Sequence, residues 1–269
     1  MGRVIGVLGV AVVGLLLSLG LVEPVAAACP PDSVESGTVC MDKYEASVWF
    51  VPPTQTTLIR KIQKGTVKLT NLTSAAAVAA GVVHLGLAVG DLFGAGCPRT
   101  GNGCVDVYAV SIPGVTPAAN ITWFQAAAAA RNSLKRLATN QEWQAAALGT
   151  PDTGGADNGT TTCNTDDLAP GATAAGSRSG CVSDVGAFDM VGNLSEWVAE
   201  WVPLSTACLP ALFGNGDDNC LAGASTVSGP GALLRGGTSF SGTDAGVFTV
   251  RGDFTLLFAR GDIGFRAAR

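Results

Sequence analysis

The sequence is poor in charge and has almost no histidine. Charged residues make up 14% of its 269 residues, the net charge is −5, and His84 is the single histidine. A surface for nucleic acid or anionic lipid needs a basic stripe, so both are excluded as partners. A Ser-His-Asp or Cys-His nucleophile could form only through His84. A lone histidine in an apolar run is far more often a packed or exposed bystander than a ligand.

C-x-x-C motifs are also absent, and no cysteine follows Cys220. The spacing therefore argues against a metal site and favours disulfides, as expected for an exported protein with an even number of cysteines. The cysteines form four local couples, each closing a short loop rich in Gly, Asp or Asn. These couples are Cys29 with Cys40, Cys97 with Cys104, Cys163 with Cys181, and Cys208 with Cys220.

The N-terminus has the residue order of a secretory signal peptide. An apolar run over 4–22 precedes Ala26–Ala28 and Cys29. We interpret residues 1–28 as a cleaved signal peptide and residues 29–269 as one domain, exported by a bacterium to its periplasm, its surface or the medium. An uncleaved membrane anchor and a lipid anchor on the cysteine are the alternatives.

Two capping boxes predict the two main helices. In Thr122–Gln125 and again in Thr139–Glu142, a threonine hydroxyl and a side chain three residues later can each accept a backbone N–H group. The first helix is expected to continue to about Leu137 and the second to end near Gly149. Residues 150–185, dominated by Gly, Thr, Asp and Asn, predict a long ordered loop.

Four segments combine aromatic, acidic and glycine residues in an unusual order. They are Val39–Ser47, Lys135–Ala147, Gly186–Val198 and Arg235–Arg269. These segments resemble the formylglycine-generating enzyme, or sulfatase-modifying factor, family, whose domain has a C-type-lectin-like fold. The resemblance implies an α+β domain, loop-rich with short strands. Residues 51–118 match the family poorly, and we interpret them as an insertion of strands and loops.

The resemblance also implies a calcium site in Gly186–Val198. Its ligands would be side-chain oxygens of Asp189 and Glu196 with backbone carbonyls of Gly192 and Leu194, the hard oxygen donors that calcium prefers. The alternative is structural: polar side chains of the motif satisfy buried backbone groups, while Met190, Trp197 and Trp201 pack in the core.

The sequence lacks the residues that the family uses for catalysis. The family's two redox cysteines follow shortly after Arg-Gly-Gly, and the matching positions are Ser241 and Gly246. Neither can bind copper as a thiolate or form a disulfide. The other catalytic branch uses iron held by histidines, which a single histidine cannot provide. We therefore expect neither copper nor iron, and an oxidoreductase acting on protein cysteine is the disfavoured alternative.

A second branch of this fold comprises the variable proteins of diversity-generating retroelements, whose C-terminal segment is rewritten at adenines. Fixed points of such segments resemble Arg235–Gly237, Gly242–Thr243, Ala245–Phe248 and Ile263–Arg266. Residues 235–269 are therefore a candidate variable segment. The fit is incomplete, because Ser239 stands where both branches usually have tryptophan.

Positions between these fixed points mix aromatic, charged and small residues, which suits an adaptable binding surface. We predict a non-catalytic ligand-binding surface over 238–262, for an unknown protein or glycan at a cell surface. A structural cell-envelope protein and a degenerate surface loop are the alternatives. The predicted ligand-binding residues are Thr238, Phe240, Ser241, Asp244, Arg251, Asp253, Phe254, Phe258, Arg260 and Asp262.

Overall fold

Residues near both ends of the chain pair in one sheet of the computed structural model. The strands are β1 (Ser33–Ser36), β2 (Val39–Asp42), β6 (Arg136–Leu137) and β12 (Ala267–Ala268), in the order β1-β2-β12-β6. Strand β12 is antiparallel to both of its neighbours, with Ala268 opposite Met41 and also opposite Arg136. Residues 267–268 are therefore interior to a sheet, and the candidate variable segment is fixed at this end.

A five-stranded sheet carries the other strands of the candidate variable segment. Its strands are β7 (Ser195–Pro203), β8 (Asn219–Cys220), β9 (Pro230–Arg235), β10 (Val250–Thr255) and β11 (Ile263–Phe265), in the order β11-β7-β9-β10-β8. The outer strands β11 and β8 are parallel to their neighbours, whereas β9 is antiparallel to both β7 and β10. The segment thus leaves the sheet after β9 and returns twice, through β10 and β11.

The segment 51–118 is more helical than predicted. A third sheet, in the order β4-β3-β5, combines β3 (Ser47–Phe50), β4 (Val83–Leu85) and β5 (Val107–Val110). Beside it lie four short helices, α1 (Thr56–Gln63), α2 (Leu69–Leu72), α3 (Ala75–Ala79) and α4 (Asp91–Gly94). The expected strands β4 and β5 are present, but the helices were not predicted; α1 forms because apolar residues such as Leu58 and Ile62, one helical turn apart, pack into a cluster with Trp49. That the segment is an insertion stays a prediction.

Both capping boxes form as predicted. They begin α5 (Trp123–Asn132) and α6 (Asn140–Ala147). The first helix stops five residues short of the predicted Leu137, because Leu134 has a left-handed φ of 56° and Leu137 pairs with Ala267 in the first sheet. The second ends before Gly149, whose φ is 78°. Among the described residues, α1 is also eight residues long, the same length as α6.

The structure confirms the α+β fold, but one residue predicted to pack in the core lies partly exposed. Trp143 and Trp197 are fully buried, as is Met190. Trp201 is 50% exposed, so its assignment to the core was wrong. The pairing of β7 with β9 is irregular between Trp197 and Trp201. The Trp201 ring lies edge-on to the ring of Trp123, with 5.3 Å between centroids.

Four disulfides connect the couples that the sequence predicts, and no cysteine is free. Such a set indicates an oxidising environment. The bond between Cys29 and Cys40 uses the sulfur that a lipid anchor would need, so the structure contradicts the alternative of acylation at Cys29. The loop predicted over 150–185 contains no regular helix or strand in its described part.

The structure describes residues 1–2, 28–152, 154, 156–168, 171–209, 212 and 216–269. The predicted signal peptide lies almost entirely outside these residues. Among the helices of the described ranges, none is long and apolar enough to cross a membrane.

Candidate ligand-binding site

Both ends of the candidate variable segment are buried, whereas its middle fixed points include the exposed residues Thr243 and Phe248. Arg235 is 3% exposed and lies over the ring of Trp143, with 4.7 Å from Cζ to the centroid. Ile263, Phe265 and Arg266 are at most 1% exposed. The surface therefore begins after the first fixed point and ends before the last, which is the division that the sequence pattern predicts.

One small cleft, with a volume of about 40 Å³, lies between the two buried ends of the segment. We call it the cleft throughout. Seven of the ten predicted ligand-binding residues line it: Thr238, Phe240, Ser241, Asp244, Arg251, Phe254 and Arg260. The remaining lining residues are Ser195, Asp218, Leu234, Gly237, Thr249 and Ile263. Residues that sequence reasoning grouped only by their position in the chain are thus brought together in space.

The other three predicted residues do not line the cleft but contact residues that do. Asp253 accepts a hydrogen bond from Arg251 Nη2 at 2.8 Å and one from Nε at 3.2 Å. Asp262, only 6% exposed, accepts the same pair of bonds from Arg260. Phe258 packs on Phe254 with 4.7 Å between ring centroids. Their role in this structure is to hold the lining residues in position.

Two guanidinium groups and two aromatic rings alternate along the cleft. Arg251 lies 5.0 Å from the ring centroid of Phe254, and Arg260 lies 5.6 Å from the same ring and 5.9 Å from that of Phe240. These distances are within the range of cation–π attraction. Each guanidinium group thus contacts both a carboxylate and an aromatic ring. Because these contacts already order the arginine side chains, ligand binding costs less conformational entropy.

A tight turn projects Phe240 toward solvent. The backbone N–H of Thr238 donates to Ser241 Oγ at 2.9 Å, and the two hydroxyl oxygens are also 2.9 Å apart. The N–H of Ser241 donates back to the carbonyl of Thr238 at 3.2 Å. Thr238 is buried, whereas Phe240 is 54% exposed. These hydrogen bonds fix the backbone of the turn from which the aromatic ring is presented.

Asp218 is a cleft residue that the sequence analysis missed. It belongs to the loop closed by the disulfide between Cys208 and Cys220, and its Oδ2 lies 3.5 Å from Arg251 Nη1. Burial raises the pKa of its carboxyl, although Arg251 lowers it. No local pattern marks this residue, because its place depends on the pairing of β8 with β10.

The residues of the predicted calcium site have other partners. Both oxygens of Glu196 accept hydrogen bonds from Arg266, and Oε2 also accepts one from Trp143 Nε1 at 2.6 Å. Asp189 Oδ2 accepts the N–H of Gly176 at 2.6 Å. Burial raises the pKa of Asp189 to about 6. Because no oxygen of Glu196 is without a donor, this carboxylate does not fit a calcium ligand, and the contacts favour the structural alternative.

The backbone members of that motif lie in a crowded turn. Gly192 has a φ of 74°, and a Cβ there would overlap the carbonyl oxygen of Asn164. The N–H of Leu194 donates to Glu45 Oε1 at 3.0 Å. Glu45 is 1% exposed, and burial, together with Asp189, raises its pKa well above the ordinary value. No sequence pattern marks Glu45, and calcium binding at this turn stays a prediction.

Two positions match the redox cysteines of the formylglycine-generating enzymes, and their surroundings differ. Ser241 lines the cleft. At Gly246, a Cβ would overlap the carboxylate of Asp217, whose Oδ2 accepts the N–H of Phe248 at 2.8 Å. A cysteine at 246 would therefore require Asp217 to move.

Solved structures with related folds were found, whereas no curated protein matches the chain. The Major Tropism Determinant M1 variant has a TM-score of 0.45 at 18% identity, over 90% of this chain and 53% of that chain. The U1 variant has a TM-score of 0.38 at 24% identity, over 55% of this chain and 37% of that one. Treponema denticola variable protein 1 has a TM-score of 0.36 at 20% identity, over 58% of this chain and 71% of that chain.

The chain thus spans about half or less of the length of the Major Tropism Determinant variants. The family described as "Sulfatase-modifying factor enzyme 1-like domain" matches residues 32–269. That match includes the buried turn around Glu196, the capping boxes of α5 and α6, and the fixed points at both ends of the variable segment. The chain therefore belongs to the sulfatase-modifying factor enzyme 1-like domain family.

Proposed function

We propose that the protein recognises a ligand in the cleft without converting it. The observation that carries this proposal is the convergence of seven predicted residues on one cleft whose ends are anchored in the core. A surface rebuilt from a few exposed side chains on a fixed backbone is the arrangement that binding proteins use for adaptable recognition.

The chemistry of the cleft suits contact with a macromolecule. Arg260 uses Nε and Nη2 to bind Asp262, so its Nη1 remains for other acceptors, whereas Nη1 of Arg251 lies 3.5 Å from Asp218 Oδ2. Phe240 is 54% exposed and would lose water on contact. A well-placed aromatic or arginine anchor contributes about 2 kcal/mol or more to an interface. We propose a protein or a glycan at a cell surface as the partner.

Absence of turnover is part of the proposal. All eight cysteines form disulfides, and the position that matches the first redox cysteine is Ser241. Export, which the disulfides support, and diversification of residues 235–269 are further parts of the proposal. A template repeat and a reverse transcriptase gene beside the coding sequence would support diversification.

The experiment compares labelled variants on arrays of bacterial surface proteins and glycans. Replacement of Phe240, Phe254 and Arg260 together by alanine should abolish the signals that the unchanged protein gives. The matched control replaces Leu148, Val78 and Arg60, which are exposed and line no part of the cleft. Unchanged affinity of the cleft variant would place the binding surface elsewhere. Oxidation of a cysteine-containing sulfatase peptide by the unchanged protein would refute the non-catalytic proposal.

A further inference from the structure

A lysine and two carboxylates meet in the interior, beside the sheet that joins the two ends of the chain. Lys135 Nζ lies 2.5 Å from Asp42 Oδ1 and 2.7 Å from Asp32 Oδ2. The exposed fractions of the three side chains are 0%, 1% and 3%. Lys135 lies between α5 and β6, and Asp42 is the last residue of β2, 93 residues earlier. The contact therefore joins distant parts of the chain.

Amide formation needs an amine and a carboxyl group held together away from bulk water, with a third group to carry protons. Fixed proximity of this kind replaces a bimolecular encounter by an effectively unimolecular step. All three groups are present here in one buried cluster. We propose that Lys135 and Asp42 form an intramolecular isopeptide bond, with Asp32 as the proton carrier.

The reaction balances without any co-reactant. Asp32 first carries one proton from the Lys135 ammonium to the Asp42 carboxylate, which gives a free amine and a carboxylic acid. The amine nitrogen then attacks Cγ of Asp42. Asp32 carries a second proton from this nitrogen to Oδ1, the Cγ–Oδ1 bond breaks, and Oδ1 leaves as water. An ammonium and a carboxylate are consumed, one amide and one water are formed, and Asp32 is unchanged.

The electrostatics of the cluster support these roles. Burial raises the pKa of Asp42 to about 6, so its acid form is accessible near neutral pH. Burial also raises the pKa of Asp32, but Lys135 and Arg269 lower it further, and the net effect is a pKa below the ordinary value. Asp32 is therefore ionised and ready to accept a proton.

A backbone donor lies where the reaction needs one. The N–H of Ala267 donates to Asp42 Oδ2 at 3.3 Å. This oxygen becomes the carbonyl oxygen of the amide, and negative charge develops on it as Lys135 attacks. A fixed N–H donor stabilises such a charge. On the other side, Asp32 is placed to accept the N–H of the product amide.

Isopeptide formation would remove the desolvation cost of the buried ion pair. Two buried charges lose their hydration, and their attraction often fails to compensate for that loss. A neutral amide needs only its two hydrogen bonds. The bond would also connect β2 to the start of β6 across β12, which lies between them in the sheet.

Peptide mapping of the full-length protein tests the proposal. After reduction, alkylation and trypsin digestion, the peptide that ends at Lys43 should be joined to the peptide 132–136. The mass of the product should equal the sum of the two peptides minus one water, and cleavage after Lys135 should be missing. Recovery of both peptides unlinked, with cleavage after Lys135, would overturn the proposal and leave an ordinary ion pair.

Two variants separate the reacting amine from the proton carrier. Lys135→Arg keeps a cation in the cluster but has no reactive amine, so the linked peptide should vanish. Asp32→Asn keeps both reacting groups, and linkage during refolding should slow by about 100-fold or more, the usual contribution of a positioned acid–base group. Linkage at an unchanged rate in the asparagine variant would overturn the role assigned to Asp32.

Discussion

The guanidinium of Arg266 lies directly against the carboxylate of Glu196. Nε is 2.8 Å from Oε2 and Nη2 is 2.7 Å from Oε1. Both side chains are buried, at 0% and 1% exposure. The last fixed point of the variable segment is thereby tied to β7, and Arg266 Nη1 also donates to the carbonyl of Asp42 at 3.1 Å. Arg266 thus connects the end of the candidate variable segment to two sheets, through an ion pair to one and a hydrogen bond to the other.

Replacement of Glu196 by alanine should destabilise the domain strongly. The free energy of unfolding should fall by about 3 to 5 kcal/mol, because Arg266 would remain buried without its counter-charge. Equilibrium unfolding in urea measures the change. Glu196→Gln keeps the shape and an acceptor oxygen and should cost less than the alanine variant. Equal stability of the alanine variant and the unchanged protein would show that the pair contributes nothing.

Chelator should leave the melting temperature unchanged. The family resemblance predicts a fall, because calcium that binds the folded state stabilises it. The contacts of Glu196 with Arg266 and Trp143 predict no fall, because its oxygens already accept hydrogen bonds from these side chains. Thermal unfolding in EDTA and in added calcium distinguishes the two. A melting temperature that falls in EDTA and recovers with calcium would establish the metal site.

The sequence predicted what depends on neighbours along the chain. Capping boxes need only residues three apart, so the starts of α5 and α6 at Thr122 and Thr139 were predicted correctly. The disulfide couples were also correct, because each closes a short loop. The frame of residues 235–269 could be recognised from its pattern, and its two ends, at Arg235 and at Ile263–Arg266, are buried.

Features that depend on distant partners were missed. Glu45 reaches the turn at Leu194 from 149 residues away. Asp218 enters the cleft through strand pairing, and Leu137 leaves the predicted helix because Ala267 pairs with it. Trp201 leaves the core because the pairing of β7 and β9 is irregular between Trp197 and Trp201. No local composition signals these contacts, since each requires two segments to be brought together by the fold.

Acid should destabilise the protein partly through His84. Its ring stacks on Trp49 at 4.5 Å between centroids. Burial lowers its pKa from 6.5, although Asp91 and the Thr116 backbone raise it. The folded state thus resists protonation more than the unfolded state does. The contribution of neutral His84 is present above pH 6.5 and is lost as the pH falls through the folded pKa.

The His84→Gln variant isolates this contribution from that of the buried carboxylates. The free energy of unfolding, measured by urea titration at several pH values, should fall more steeply from pH 7 to pH 5 in the unchanged protein than in the variant. Parallel pH profiles of the two proteins would show that His84 titrates alike in the folded and unfolded states.

Removal of the disulfide between Cys208 and Cys220 should weaken both the fold and the cleft. This bond closes the loop that contains Asp218, and Cys220 pairs with Arg251 across β8 and β10. Replacing both cysteines by serine should lower the free energy of unfolding by about 2 to 4 kcal/mol. The affinity for the partner found on the arrays should also fall, because Asp218 would no longer be held beside Arg251.

The matched control removes the disulfide between Cys97 and Cys104, which lines no part of the cleft. Its loss should also reduce stability, because it closes a loop, but affinity measured well below the melting temperature should be retained. Calorimetry of binding and urea titration of both double variants give the comparison. If the two variants lose affinity equally, the effect follows general stability. If neither loses affinity, the loop that contains Asp218 takes no part in recognition.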